Sequence, residues 1–318
     1  MNIDKLNLLN TLKLFILIPI FNEGPKIKQV IDQIPNYIDE IIIIDDGSID
    51  NSKEVVNTLI KQSNKSRLTL LYHDKNKGKG AAIKTGLNWL SKNFKIQNDQ
   101  YVIFIDGDGQ MDTNYINDLL NPLLTKKLYF SKGTRMKIKS YRNSMPRFRY
   151  FGNSLLKILN WISTGQWDIS DPQNGYIAAS LEKLLLLNLN KLHDDYFFEN
   201  SLLCEINILG EKIIEVSIPA IYDDENSSIN YFKYIPITSF KLLKGWIYRL
   251  NKMKNRNYYY FLSFIFQIIG LILTTLSIFN FSNQIISLMF LIAGLLQLLI
   301  CILIDIYIFK FKNISTIK

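Results

Sequence analysis

The chain has 318 residues, 48% of them hydrophobic and 20% charged, with a formal net charge of +9. This length can bury a sizeable core and hold one large domain with an appendage, or two modest domains. The two cysteines, Cys204 and Cys301, form no CxxC pair, which favours free thiols in a reducing compartment. The two histidines, His73 and His193, lack metal-ligand spacing, which argues against a zinc site.

Short apolar strands alternate with amphipathic helices from residue 13 to residue 220. Strands are predicted at 13–20, 40–45, 67–73, 101–105, 128–131, 175–179 and 212–218. Helices are predicted at 25–35, 51–63, 80–92, 113–124, 148–162, 181–188 and 196–209. Runs such as the four isoleucines at 41–44 are typical of strands buried on both faces. The alternation predicts an α/β fold with a mostly parallel sheet, helices on both faces, and ligands beyond the carboxyl ends of the strands.

Two apolar runs near the C-terminus, 258–279 and 285–309, are each long enough to cross a bilayer of about 30 Å. Basic residues flank both outer ends, and the short connection at 280–284 is uncharged. This charge pattern predicts a transmembrane hairpin with the body of the chain and its tail in the cytoplasm. Asp305, near the cytoplasmic end of the second run, is expected to extend its carboxylate towards the membrane interface.

The segment before the first run, 233–256, is basic and amphipathic, with Trp246 and Tyr248 among its lysines. Such a segment is typical of a helix on an anionic membrane surface. Because basic residues concentrate here rather than on a body face with stacking aromatics, a nucleic-acid partner is not expected.

Polar, glycine-rich loops follow the first four predicted strands. They read IPIFNEGP (18–25), DDGSID (45–50), DKNKGKGAAIKTG (74–86) and DGDGQMD (106–112). In the fourth loop Asp106 and Asp108 would repel each other unless a cation lies between them. With Gln110 they offer three oxygen ligands, which suit Mg²⁺ or Mn²⁺. Such a metal would neutralise a diphosphate leaving group, so the loops predict a nucleotide–metal site.

These motifs resemble glycosyltransferase family 2, which has the GT-A (Rossmann-like) fold. They resemble most closely its polyisoprenyl-phosphate subgroup, the dolichyl-phosphate mannose and glucose synthase-like enzymes. Further matching segments are GTR (133–135), RYFGN (149–153), DPQNGY (171–176) and YDDENSSINYF (222–232). The matches run in the family's order, and the two C-terminal spans match members with a transmembrane hairpin. The expected organisation is a GT-A domain at 1–232, a juxtamembrane segment at 233–257, and two spans with a short cytoplasmic tail at 258–318.

The resemblance implies roles for individual residues. The nucleotide sugar would be bound by Pro19, Glu23, Asp46, Lys79, Gly80, Asp106, Asn174 and Gly175. The metal, Mg²⁺ or Mn²⁺, would be bound by Asp106, Asp108 and Gln110. The lipid phosphate would be bound by Arg135, Arg147 and Arg149. The catalytic contributions are expected from Asp108, Arg135 and Arg149.

The expected reaction is inverting transfer of a hexose, from a donor of the UDP-glucose or GDP-mannose type, to polyprenyl or dolichyl phosphate. UDP-N-acetylhexosamine is a further possible donor. The sequence also leaves open whether the chain forms a homo-oligomer. The alternative keeps the fold but uses a hydroxyl of a glycan or lipid-linked sugar as acceptor. That reaction needs a general base, for which the segment HDDYFFEN (193–200) offers Asp194, Asp195 and Glu199. A membrane-anchored nucleotide-sugar-binding protein without turnover is the remaining alternative, and it does not account for metal ligands accompanied by downstream arginines.

Overall fold

The computed structural model describes residues 11–62, 67–126, 128–138, 147–221, 231–256, 258–279 and 284–315. For 147–155, 231–236, 279 and 311–315 it describes the backbone alone. The chain divides into two compact units. One is drawn from Met1–Lys157 and Ile169–Ile229, and the other from Ile158–Asp168 and Asn230–Lys318.

The first unit is built on a seven-stranded sheet of order β3-β2-β1-β4-β6-β5-β7. The strands are β1 (Lys13–Ile20), β2 (Glu40–Asp45), β3 (Leu68–Tyr72), β4 (Gln100–Phe104), β5 (Phe130–Thr134), β6 (Ile177–Ser180) and β7 (Ile213–Ser217). Neighbouring strands are parallel from β3 to β4, and β5 is parallel to β7. Only β6 runs against its neighbours in this sheet, since it is antiparallel to both β4 and β5. The mostly parallel sheet is as predicted.

Helices cover both faces of the sheet. They are α1 (Gly24–Gln33), α2 (Ser52–Gln62), α3 (Lys79–Asn93), α4 (Ile116–Thr125), α5 (Arg147–Thr164), α6 (Leu181–Leu185) and α7 (Phe198–Leu209). Side chains alternate along β1: Phe15 and Leu17 join the apolar cluster under α3, α6 and α7, while Leu14 and Ile16 join the cluster under α1, α2 and α4. The strand at β1 is therefore buried on both faces, which explains its unbroken apolar run.

The position of β5 differs from the prediction. The sequence predicted a strand at 128–131, whereas the strand runs over Phe130–Thr134 and so includes Lys132 and Gly133. A lysine and a glycine are typical of a loop, and this led the prediction to end the strand early. In the structure all five residues of β5 are buried, Lys132 among them.

The second unit contains three long helices, α8 (Tyr231–Met253), α9 (Tyr258–Phe279) and α10 (Gln284–Ser315). Two stretches within them, Tyr258–Ile278 and Gln284–Lys310, are long and apolar enough to cross a membrane. Helices α9 and α10 form a hairpin. Their backbones approach closely at Gly270 and Gly294, where a Cβ on either glycine would lie 3.0 Å from the other's carbonyl oxygen.

Helix α8 buries one face within this unit. Trp246, expected among the residues on a membrane surface, is instead buried beside Leu250 and Cys301. The opposite side leaves Ile237, Phe240 and other apolar side chains exposed. Neither cysteine forms a disulfide, as predicted, and both are buried.

A buried arginine joins three helices of the second unit. Arg249 of α8 donates from Nη1 and Nη2 to the two carboxylate oxygens of Asp305 on α10, at 2.9 and 2.6 Å. It also donates from Nη2 to the backbone oxygen of Ile162 and from Nε to that of Ser163, at 3.0 and 2.9 Å, near the end of α5. The prediction that Asp305 extends towards the interface is therefore wrong: its carboxylate is buried and paired with Arg249.

Removing either member of this pair is expected to destabilise the second unit. In Arg249→Met the Asp305 carboxylate stays buried without its partner, and such losses cost about 3–5 kcal/mol. The double variant Arg249→Met/Asp305→Leu should recover much of that loss, because no buried charge remains. Thermal unfolding of the detergent-solubilised chain compares both variants with wild type, with Lys252→Gln as the exposed control on α8. Equal unfolding temperatures for Arg249→Met and Lys252→Gln would contradict the assignment.

Candidate active site

The loops after β1 and β2 hold each other in place. Asn22 has a positive φ of 59°, and its backbone N–H donates to Ser48 Oγ at 2.9 Å. The next backbone N–H, that of Glu23, donates to Ser52 Oγ at 2.9 Å. The side chain of Glu23 is half-buried at the start of α1, while Pro19 is buried within β1. Both predicted nucleotide residues therefore lie at the carboxyl edge of the sheet, with Pro19 inside the strand.

Asp46 fixes the loop that leads to α3. Its carboxylate accepts hydrogen bonds from the backbone N–H groups of Lys77 and Gly78, at 2.9 and 2.7 Å. His73 Nδ1 lies 2.6 Å from the same carboxylate, and His73 Nε2 lies 2.9 Å from Thr85 Oγ1. The histidine is buried and structural, as expected from the sequence. Asp46 thus shapes the loop, and its contact with a base or ribose stays a prediction.

Lys79 lies at the centre of a charged cluster. Its Nζ is 2.6 and 2.8 Å from the two carboxylate oxygens of Asp106 and 2.8 Å from Oε1 of Glu199. Burial alone would lower the pKa of Lys79, but the charges of Asp106 and Glu199 outweigh it and raise the pKa above its ordinary value. The ammonium is therefore firmly protonated between two carboxylates that come from β4 and α7.

Asp108 lies two residues further along the same loop. Burial, followed by the negative charge of Asp106, raises the pKa of Asp108 to about 6. One hydrogen bond, from the backbone N–H of Gln110 at 3.0 Å, works in the opposite direction. The loop crosses the end of β1 so closely that a Cβ on Gly107 would lie 2.5 Å from Ile20 Cγ2.

The acidic pair fits a divalent cation by its chemistry. The charge of Asp106 opposes the ionisation of Asp108, and a cation beside both would relieve that repulsion. Oxygen donors of this kind suit Mg²⁺ and Mn²⁺. Within the described ranges, no group of three or more His, Cys, Asp and Glu side chains is arranged to hold a metal. The fit therefore depends on two carboxylates and the half-buried Gln110.

Arg135 follows β5 and forms a two-pronged ion pair. Its Nε and Nη2 donate to the two carboxylate oxygens of Asp171, at 2.8 and 3.0 Å. Burial would raise the pKa of Asp171, but the charge and hydrogen bonds of Arg135 lower it below its usual range. The side chain of Arg135 retains 20% exposure. Asp171, quoted within a motif but given no role, is a residue that sequence reasoning missed.

The segment that begins at Ser170 runs past Asp171 to Gly175. Glu215 of β7 holds its start, since Oε1 accepts from the backbone N–H groups of Ser170 and Asp171 at 2.7 and 2.9 Å. At its end, Gly175 packs against the charged cluster. A Cβ there would overlap Lys79 Nζ and lie 2.9 Å from Glu199 Oε1. A larger residue would displace the ends of these two side chains, so Gly175 lies directly beside Lys79 and Asp106. That these residues bind a nucleotide sugar stays a prediction.

The remaining predicted residues fall in three groups. Gly80, at the start of α3, has no room for a side chain because a Cβ would overlap the carbonyl oxygen of His193. Asn174 is buried and accepts from the backbone N–H of Tyr176 at 2.8 Å. Arg147 and Arg149 begin α5, and their side chains lie outside the described residues, as does most of the motif at 222–232.

The three predicted bases of the alternative reaction have different surroundings. Asp194 forms an ion pair with Lys84, and its own side chain is 62% exposed. Asp195 accepts from the backbone N–H of Phe197 at 3.0 Å. Glu199 is buried against Lys79. Of the three, only Glu199 belongs to the charged cluster.

Comparison with known proteins places this site in a family. The model for glycosyl transferase family 2 matches residues 15–185, more than half of the chain. The chain is 30% identical over 186 residues to the UDP-N-acetylglucosamine–dolichyl-phosphate N-acetylglucosaminyltransferase of Methanococcus voltae, which covers 55% of this chain and 72% of that protein. It is 26% identical over 147 residues to the dolichyl-phosphate beta-glucosyltransferase of Dictyostelium discoideum, covering 42% and 43% of the two chains.

The fold is shared with a solved glycosyltransferase. Glucosyl-3-phosphoglycerate synthase from Mycobacterium tuberculosis, crystallised with Mg²⁺ and uridine diphosphate, superimposes with a TM-score of 0.57. The two are 20% identical, and the match covers 78% of this chain and 83% of that one. The fold is therefore GT-A, and fold and family together define a glycosyltransferase. The chain belongs to glycosyl transferase family 2, and its similarity to dolichyl-phosphate sugar transferases supports the polyisoprenyl-phosphate subgroup.

Proposed function

We propose that the chain moves a hexose or N-acetylhexosamine from a nucleotide sugar to polyprenyl or dolichyl phosphate, with inversion at the anomeric carbon. The observation that carries the proposal is the cluster of Asp106, Asp108, Lys79 and Gly175 in a family 2 chain that ends in two apolar helices. The relatives' names add the lipid phosphate: two of them are named as transferring a sugar to dolichyl phosphate.

The donor would lie against the charged cluster. Lys79 supplies a protonated ammonium for a diphosphate oxygen, and the absence of a Cβ at Gly175 leaves room for that ammonium beside Glu199. The loop held by Asp46 begins α3 with Gly78 at a φ of 99°. The backbone N–H groups of Gly80 and Ala81 donate to the carbonyl oxygen of Asp194, so the phosphates would be contacted by the Lys79 side chain rather than by these N–H groups. Pro19 and Glu23, at the same edge of the sheet, would contact the base and ribose.

Asp106, Asp108 and Gln110 would hold Mg²⁺ or Mn²⁺. Bound there, the metal neutralises the diphosphate leaving group. The M. tuberculosis enzyme that shares the fold is crystallised with Mg²⁺ and uridine diphosphate, which supports the same cofactor class here. Asp106 would have to exchange its contact with Lys79 for the metal, and Glu199 would keep the ammonium in place.

The acceptor phosphate is already an anion at neutral pH, so the reaction needs no general base. One of its oxygens bonds to the anomeric carbon while the bond from that carbon to the diphosphate breaks, and direct in-line attack inverts the configuration. Arg135, Arg147 and Arg149 would bind this phosphate, since arginine binds phosphate oxygens in a two-pronged manner. Arg135 would do so by sharing its guanidinium with Asp171. Asp194 and Asp195 contact Lys84 and a backbone N–H rather than the charged cluster, which supports an acceptor that needs no base from them.

The lipid acceptor agrees with the C-terminal helices. We assign residues 1–232 to the catalytic domain, 233–257 to a juxtamembrane segment and 258–318 to two membrane spans with a short tail. Lysines outside both spans favour a catalytic domain on the cytoplasmic face. This location puts the site on the side of the membrane where nucleotide sugars are made.

The test is transfer from radiolabelled nucleotide sugars into lipid. Purified chain in detergent receives each donor in turn, with Mg²⁺ or Mn²⁺ and undecaprenyl phosphate, and undecaprenol replaces the phosphate as the matched control. The proposal expects label in the organic phase for the phosphate alone, released by mild acid. Label transferred to undecaprenol as readily as to its phosphate would overturn it.

The hydroxyl-acceptor alternative has its own test. It requires a base from 193–200, so Asp194→Asn should abolish turnover if Asp194 is that base, and Asp195→Asn should do so if Asp195 is. The phosphate mechanism expects both variants to keep wild-type turnover, because their carboxylates contact Lys84 and a backbone N–H rather than the charged cluster.

A further inference from the structure

Lys132 is a charged side chain buried within a strand. It lies in β5, its side chain is fully buried, and burial lowers the pKa of Lys132 to about 8. Burying an ammonium costs several kcal/mol unless its partners compensate. Its Nζ donates to the backbone carbonyl oxygen of Asn174. An apolar residue at this position would avoid that cost. We therefore looked for a functional role of the contact between Lys132 and Asn174.

The segment from Ser170 to Gly175 is tied to β5 at several points. Thr134 Oγ1 lies 2.8 Å from Ser170 Oγ, and Arg135 pairs with Asp171. Lys132 holds the far end of the segment through the carbonyl of Asn174. This carbonyl belongs to the peptide group that ends at Gly175, the residue packed against Lys79 and Glu199.

The orientation of that peptide has a consequence for Gly175. The chain has no cis peptide bond among its described residues, and a trans peptide directs its N–H opposite to its C=O. Because the C=O of Asn174 is directed at Lys132, the N–H of Gly175 is directed away from it. Within the described part of the chain this buried N–H makes no hydrogen bond, although buried backbone donors are almost always paired.

We propose that Lys132 is a positioning residue that holds the 174–175 peptide so that the N–H of Gly175 donates to one oxygen of the transferred sugar. This inference rests on the proposed function, since it concerns the same donor site. A hydroxyl oxygen of the sugar accepts such a hydrogen bond, while the ammonium of Lys79 is left for the charged diphosphate. Lys132 itself touches neither substrate, because its Nζ is buried behind Asn174.

The test combines Lys132→Met with donors that lack single hydroxyl groups. Wild type should discriminate against one deoxy-sugar donor by about tenfold in kcat/KM, the worth of one hydrogen bond. Lys132→Met should lower kcat/KM for the full donor by a similar factor and lose discrimination at that one hydroxyl. Lys132→Gln, which keeps a side-chain N–H, should recover part of both. The acceptor KM should not change.

The variant is expected to fold, because each neighbouring acid keeps another partner: Asp171 keeps Arg135, Glu199 keeps Lys79 and Glu215 keeps Lys137. Lys183→Met, whose partner is Glu211 rather than a residue of the Ser170–Gly175 segment, is the matched control. Equal loss by Lys132→Met on every deoxy donor would mean a purely structural lysine and would overturn the inference. Wild-type kinetics in the variant would overturn it too. Failure of the proposed function is distinct, since the wild type would then give no lipid product.

Discussion

Replacing Asp108 with asparagine is expected to lower the turnover of sugar transfer by about a hundredfold to a thousandfold, with a smaller effect on donor binding. Asp108 and Asp106, in the loop after β4, are the proposed charged oxygen ligands, and a metal held there would stabilise the charge that develops on the diphosphate as it leaves. An amide keeps the shape of Asp108 but not its charge. Steady-state kinetics with saturating Mg²⁺ measures kcat and KM for each substrate.

The matched control lies in the same loop. Asp112 caps the short helix Thr113–Tyr115 by accepting from the backbone N–H of Asn114, and asparagine can keep that cap. Asp112→Asn should therefore retain wild-type turnover. If both variants lost the same activity, the loop would matter for its shape alone. If Asp108→Asn kept full turnover, Asp108 would have no part in the chemistry.

Asp108→Asn should also be more stable against unfolding than wild type when metal is removed. Burial and Asp106 raise the pKa of Asp108 to about 6, so ionised Asp108 destabilises the fold at higher pH. This penalty is present above about pH 6 and absent below about pH 4, where the carboxyl is protonated in both the folded and the unfolded chain. In EDTA, the unfolding temperature of Asp108→Asn should therefore be higher than that of wild type at pH 8, and the two should be equal below about pH 4.

The second large effect is expected from Lys79→Met. Removing the ammonium leaves Asp106 and Glu199 without the charge that separates them, and it removes a donor for the diphosphate. We expect kcat/KM for the nucleotide sugar to fall at least about a hundredfold. At the same time Mn²⁺ alone should bind more tightly, because Asp106 no longer pairs with a lysine and the local negative charge increases. Titration of Mn²⁺ followed by electron paramagnetic resonance reports that affinity without substrate.

Lys84→Met provides the comparison for this effect. It lies in the same helix as Lys79, but its partner Asp194 is largely exposed, so its loss should change neither turnover nor Mn²⁺ affinity appreciably. Lys79→Met with unchanged Mn²⁺ affinity would mean that the ammonium and the metal do not compete for Asp106. Unchanged turnover in Lys79→Met would mean that Lys79 does not bind the donor.

The parts of the fold that depend on local pattern could be predicted from the sequence. The run EIIIID forms β2, and the loops after β1 to β4 lie at one edge because parallel strands bring their carboxyl ends together. The bounds of β5 were predicted wrongly because Lys132 does not fit an apolar strand pattern. Its burial depends on the carbonyl oxygen of Asn174, 42 residues further along the chain. Asp305 was misjudged for the same reason, since Arg249 lies 56 residues earlier.

For the site, too, the residues within short motifs could be predicted, whereas their distant partners could not. Glycine-rich loops and paired aspartates are short-range signals, and they indicated Lys79 and Asp106 as candidate site residues, whereas Gly175 was implied by the resemblance of DPQNGY to the family motif. The partners that hold them come from distant elements: Glu199 lies on α7, and Asp171 is contacted by Arg135 from 36 residues away. Ion pairs of this kind leave no spacing pattern in a single sequence. The motif DPQNGY did contain Asp171, but nothing in the motif alone indicated its partner.

The central claim is that the sugar is transferred to a phosphate oxygen of a lipid. Phosphorus NMR of the extracted acceptor, after reaction of the wild-type chain with undecaprenyl phosphate and the donor that labels lipid, tests it most directly. The account predicts that the phosphomonoester signal of the lipid is replaced by a phosphodiester signal, with a β-linked sugar from an α-linked donor. A lipid that gains a sugar while its phosphorus stays a monoester would contradict it, and would assign the acceptor to a hydroxyl group.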